Sequence, residues 1–143
     1  MSLSVESPQN QAIVIIDDEK SFTDLLGHLL GEHLTSPIHT FTHPAQALAS
    51  IPTLRAGIIV TDYYMPGMNG LELIRKAHAL SPHTPCILIT GHPFTLDDHG
   101  SEGLQNLKAV LPKPFRWRQL VDMIQQHWKG PNPPAYRESV NLE

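Results

Sequence analysis

The sequence predicts an α/β fold, a doubly wound five-stranded parallel sheet with five helices. Three observations predict it. Short apolar runs alternate with segments of helical periodicity, three of those runs are apolar almost throughout, and the central runs end on polar residues. A strand covered on both faces loses the in–out alternation of a half-exposed one, so nearly unbroken Ile/Val runs point to a parallel sheet with helices on both sides. At 143 residues the chain suits one domain with a single core.

The strand-like runs are "AIVIID" (12–17), "IHTF" (38–41), "AGIIVTD" (56–62), "PCILIT" (85–90) and "KAVLP" (108–112). The first helix covers 19–33, where Phe22, Leu25, Leu26, Leu29 and Leu30 recur at spacings of three and four. A shorter one covers 44–51. Asn69 caps a third that carries Leu71, Leu73, Ile74 and Ala77 and stops near 80 at "SPHTP". A fourth, over 95–106, is weakened by Gly100 and Gly103, and the fifth covers 115–128 with Trp117, Leu120, Val121, Ile124 and Trp128 on one stripe. Five βα units joined by right-handed crossovers make the doubly wound sandwich. The domain is expected over 11–129, with 1–10 and the Pro-rich 130–143 as flexible termini or linker.

Composition narrows the function. The net charge of −4 argues against direct nucleic-acid binding by this domain, which normally takes a basic face. No run approaches the roughly 20 apolar residues of a membrane helix, and "MSLSVESPQNQ" has no apolar signal core. The lone Cys86 sits inside "CILIT" and reads as a small buried hydrophobe. These features favour a cytoplasmic setting. The nine histidines are scattered; His39 and His43 have helical spacing, but Pro44 follows and His39 lies in a strand-like run, so they do not read as a zinc site.

In such a fold, ligands bind outside the carboxyl ends of the strands. Strand one ends in Asp17 and Asp18, strand three in Asp62, strand four in Thr90, and strand five in Lys113. Each residue alone has a plain structural reading. Asp17 or Asp18 could cap the first helix, Asp62 could serve a turn, and a lone Lys is usually solvated. All five at one edge is another matter. Three carboxylates in one pocket resist ionising together unless a cation joins them, and all-oxygen ligands favour Mg²⁺. A metal, an ammonium and a hydroxyl around a free carboxylate suit a phosphoryl group received by that carboxylate. The strand run delivers Asp62, and Pro66-Gly67 turns the chain sharply after it.

These residues carry a resemblance. "IVIIDDE", "TDYYMPGMNG", "ILITG" and "LPKPF", in this order on strands one, three, four and five, resemble the motifs of the receiver domain of two-component response regulators, a flavodoxin-like fold, over about residues 11–129. The resemblance implies that Asp62 accepts a phosphoryl group from a histidine kinase or histidine phosphotransfer protein. It implies Mg²⁺ bound directly by Asp18 and Asp62, with Asp17 acting at least partly through water and the Tyr64 backbone carbonyl completing the ligands, and Thr90 and Lys113 holding the phosphoryl oxygens. It also implies a cis Lys113-Pro114 bond, a signalling role rather than that of an enzyme, and an output domain or downstream protein as recipient, with a phosphorylation-dependent homodimer as one form of output. One position departs from the pattern. Val110 stands where the family usually has Tyr or Phe, so the phosphorylation signal is expected to travel without an aromatic swing. The alternatives are a phosphorylation-independent pseudo-receiver, which would lack an acidic or Lys position, and a phosphohydrolase, which needs a second carboxylate where Tyr64 stands.

Overall fold

The computed structural model describes residues 11–92 and 103–138. Its elements are β1 (Ala12–Ile16), α1 (Lys20–His33), β2 (Ile38–Phe41), α2 (Pro44–Ser50), β3 (Ala56–Asp62), α3 (Gly70–Leu80), β4 (Cys86–Thr90), β5 (Leu107–Pro112) and α4 (Trp117–His127). The sheet order is β2-β1-β3-β4-β5 and every pairing is parallel. The three apolar runs form the three inner strands. β1 and β4 are buried at every residue, and β3 at all but its first.

Period-two alternation divides these strands between two cores. Ile13, Ile15, Ile58, Val60, Ile87 and Ile89 face α1 and α4, where Leu26, Leu30, Leu120 and Ile124 meet them. Val14, Ile16, Ile59 and Leu88 face the other way, toward Ala47 on α2 and Leu71, Ile74 and Ala77 on α3. Asn69 does cap α3. Its side chain accepts from the Glu72 N–H, and Glu72 accepts from the Asn69 N–H. Such a cap contributes about 1 kcal/mol.

Two expectations differ from the structure. Four helices, not five, stand among the described residues. Most of the expected 95–106 helix lies outside them, and its described end is a turn in which Gly103 takes φ +76°. The second difference is the tail. Residues 131–138, read as part of a flexible linker, are docked along the end of α1. Ala135 accepts from the Thr35 N–H at 2.9 Å, and the Arg137 N–H donates to His33 at 2.7 Å. Gln125 on α4 donates to Pro134, and the Tyr136 ring lies edge-on to Trp117. Prolines at 131, 133 and 134 stiffen the approach, which lowers the entropy lost on docking. Among the described residues no helix is long and apolar enough to cross a membrane.

Candidate functional site

The C-terminal ends of the inner strands converge on one acidic pocket. β1 runs straight into Asp17 and Asp18, and β3 ends on Asp62 in the neighbouring strand. Oxygens of all three carboxylates lie within 4.8 Å of one another. Asp17 and Asp62 are buried and Asp18 is exposed. β5 brings in Lys113, whose Nζ lies 2.8 Å from Asp62 Oδ1 and 3.8 Å from Asp17 Oδ2. The Lys113-Pro114 bond is cis, as the resemblance implied.

Each carboxylate is held differently. Asp62 Oδ2 accepts the Tyr64 N–H at 3.0 Å while Oδ1 takes the ammonium. Asp17 Oδ1 accepts the Glu19 N–H at 2.9 Å, so it stabilises the β1–α1 turn. It does not cap α1, whose N-cap residue is Glu19. Asp17 Oδ2 is buried without a hydrogen-bond partner. Burial pushes the Asp17 carboxyl up to about 6, with the charges of Asp62 and Asp18 adding to it against the Glu19 N–H and Lys113. For Lys113, burial lowers the ammonium's value, but the hydrogen bond and charge of Asp62, then Asp17 and Glu19, outweigh it and hold it above the ordinary 10.5.

Thr90, at the end of β4, is buried beside the pocket. Its hydroxyl accepts the His92 N–H at 3.2 Å and lies 3.3 Å from the His92 carbonyl. Its own carbonyl accepts the Lys113 N–H at 2.8 Å, which ties the two strand ends together. The turn after Asp62 is fixed from both sides, because the Tyr63 N–H donates to Ile89 and the Tyr63 carbonyl accepts from Gly70. Gly70 has no room for a side chain: an added Cβ would collide with the Asp62 carbonyl oxygen. Gly70→Ala is therefore expected to displace Asp62 and destabilise the fold by about 1–3 kcal/mol, seen as a lower denaturation midpoint; an unchanged midpoint would show that the turn yields freely.

The structure thus brings the carboxylates of Asp17, Asp18 and Asp62 and the Lys113 ammonium together, and it ties the Thr90 backbone to Lys113. The sequence reading missed two features. The rings of Tyr64 and His92 touch each other at 5.0 Å between centroids. Phe22, read only as part of the apolar stripe of α1, lies under the Lys113 ammonium, 5.0 Å from ring centre to Nζ. Its place one helical turn beyond Asp18 was the available signal. Val110 is half-buried against the core under α2 and α3. Cys86 is buried, and burial pushes its thiol up to about 12, so it stays protonated and inert.

A doubly wound sheet with an aspartate at the end of its central strand, an acidic pair beside it and a lysine reaching across defines a signalling fold built around an acidic pocket. Residues 13–125 match the response regulator receiver domain model, and the chain belongs to that family. It is 31% identical over 133 residues to the transcriptional regulatory protein FixJ of Bradyrhizobium diazoefficiens, covering 90% of this chain and 62% of that one. It is 38% identical over 81 residues to the C4-dicarboxylate transport transcriptional regulatory protein DctD of Rhizobium meliloti, covering 57% of this chain but 17% of that one. Among solved structures, a CheY-like receiver domain from Methanospirillum hungatei matches with a TM-score of 0.68 at 25% identity, over 82% of this chain and 92% of that one. The chain therefore spans less than two thirds of these two curated relatives. It is a receiver domain homologous to those of response regulators, with its acidic pocket where a phosphorylation site fits.

Proposed function

We propose that this receiver takes a phosphoryl group onto Asp62 from a histidine kinase or histidine phosphotransfer protein in the cytoplasm, and passes the change to an output domain or downstream protein. The observation that carries this reading is the Lys113 ammonium 2.8 Å from Asp62 inside the three-carboxylate pocket. The donor set fits Mg²⁺: it is all oxygen, and Asp17 offers a buried oxygen with no hydrogen-bond partner. Asp17, Asp18 and Asp62, with the Tyr64 carbonyl, would hold the ion. When bound, Mg²⁺ supplies positive charge that neutralises phosphoryl oxygens.

The chain's own residues do the rest. An Asp62 oxygen attacks phosphorus and forms a P–O bond as the P–N bond of the phosphohistidine breaks, and the imidazole nitrogen keeps the electron pair. Lys113 follows the charge from Asp62 onto a phosphoryl oxygen. Thr90 exchanges its contact with the His92 carbonyl for a second phosphoryl oxygen, and that exchange is a local event the fold can report. A pseudo-receiver has no observation in its favour, since none of the five positions is lost. Treatment with acetyl phosphate and Mg²⁺ should add one phosphoryl mass, mapped by peptide analysis to Asp62. No adduct, or an adduct formed equally well in excess chelator, would refute the reading.

The lifetime of the adduct should depend on the Tyr64–His92 contact. A hydrolytic water must approach phosphorus in line, and the two touching rings narrow that path. Tyr64→Ala and His92→Ala are each expected to speed phosphoryl loss by up to about tenfold, the equivalent of about 1.4 kcal/mol. Slower loss in His92→Ala would mean instead that the imidazole assists the water as a general base.

A further inference from the structure

We propose that Phe22 is a positioning residue for Lys113: its ring face holds the ammonium over the pocket through the exchange of charge that phosphorylation brings. This rests on the phosphoryl-accepting reading of the site. Lysine is a flexible four-carbon stem carrying a compact charge, and it loses much rotamer freedom when held at one point. Asp62 and Asp17 grip the ammonium while they are ionised and unmodified. Phosphorylation of Asp62 moves one of those charges outward onto the phosphoryl oxygens, and a metal draws on the other. The Phe22 ring carries no charge that either event alters. Nζ lies 5.0 Å from the ring centroid, within the range where the ring's negative face attracts a cation.

The ring itself is fixed. Phe22 is partly buried against the core beneath α1, and Phe115, two residues beyond Lys113, meets it edge-on at 6.2 Å and 86°. An apolar side chain of similar size would fill the same space without the electrostatic attraction. Shape and cation–π contact can therefore be separated by substitution.

The test compares Phe22→Leu with Phe22→Tyr. With acetyl phosphate at saturating Mg²⁺, Phe22→Leu should slow adduct formation about fivefold, and Phe22→Tyr should restore the rate. Mg²⁺ affinity, measured by calorimetry, should not fall in either. In NMR spectra the Lys113 ε-methylene protons should lie upfield in the wild-type protein, shifted by the ring, and return toward ordinary values in Phe22→Leu. A wild-type rate in Phe22→Leu, equal slowing in both variants, or unshifted ε-protons in the wild-type protein would overturn the proposal. The NMR measurement on the wild-type chain needs neither phosphorylation nor a folded variant. It therefore stands even if the phosphoryl-accepting reading fails, a failure that would show as no adduct in the wild-type protein.

Discussion

Asp62→Asn is expected to abolish the phosphoryl adduct, and Lys113→Ala to slow its formation by about two to three orders of magnitude. The first follows from chemistry, because an amide oxygen lacks the charge and basicity to displace an imidazole from phosphorus. The second follows from position. Lys113 Nζ already lies 2.8 Å from Asp62 before any phosphoryl group arrives, so it is a preorganised donor in a partly desolvated site. Removal of one such donor typically costs about 10²–10³ in rate. The same substitution should tighten Mg²⁺ binding. An ammonium 3.8 Å from Asp17 competes for the carboxylates that would hold a dication. A slower reaction with tighter metal is a signature that general damage to the fold would not give. Intact-mass time courses with acetyl phosphate and calorimetric Mg²⁺ titration measure the two effects. An adduct in Asp62→Asn, or a rate in Lys113→Ala within a few fold of wild type, would contradict this account.

The site was legible in the sequence because the sheet converts one-dimensional order into position. A run such as "AGIIVTD" is apolar until the sheet ends, so the first polar residue marks the C-terminal edge, and parallel strands place all such residues on one side. Three inner strands, the Asn69 cap and the convergence of Asp17, Asp18, Asp62, Thr90 and Lys113 follow from that logic. Contacts formed by partners far apart in the chain do not. The docked tail read as linker because prolines look alike in a linker and in a stiff strap. Its partners, Thr35 and His33, stand about a hundred residues earlier. Phe22 met the same difficulty, since an aromatic ring on an amphipathic helix already has a sufficient reason to be there. Which of the two acidic neighbours is buried was also not legible in the sequence. Only the fold separates a buried Asp17 from an exposed Asp18.

That separation leads to the second large effect. Asp17→Asn should stabilise the metal-free protein at pH 8 by up to about 3 kcal/mol while weakening Mg²⁺ binding. Burial, helped by Asp62 and Asp18, raises the Asp17 carboxyl from its ordinary 3.8 to about 6. The folded protein therefore holds this proton more tightly than the unfolded chain does. The stabilisation this provides is full below pH 3.8 and is lost as pH rises through 6, because the ionised carboxylate is then kept buried beside other carboxylates with one oxygen lacking a hydrogen bond. An amide is neutral at every pH and escapes that loss. In chelator, the stability advantage of Asp17→Asn over wild type should accordingly grow between pH 5 and pH 8. Mg²⁺ reverses the order, since it binds the ionised wild-type cluster and stabilises the folded state by mass action. Added Mg²⁺ should therefore raise the wild-type melting temperature more at pH 8 than at pH 5, and raise that of Asp17→Asn little at either. Thermal melts of both proteins at the two pH values, with chelator and with Mg²⁺, complete the comparison. Parallel pH dependence of the two proteins in chelator would show that Asp17 is not held in the folded state as an unfavourable charge.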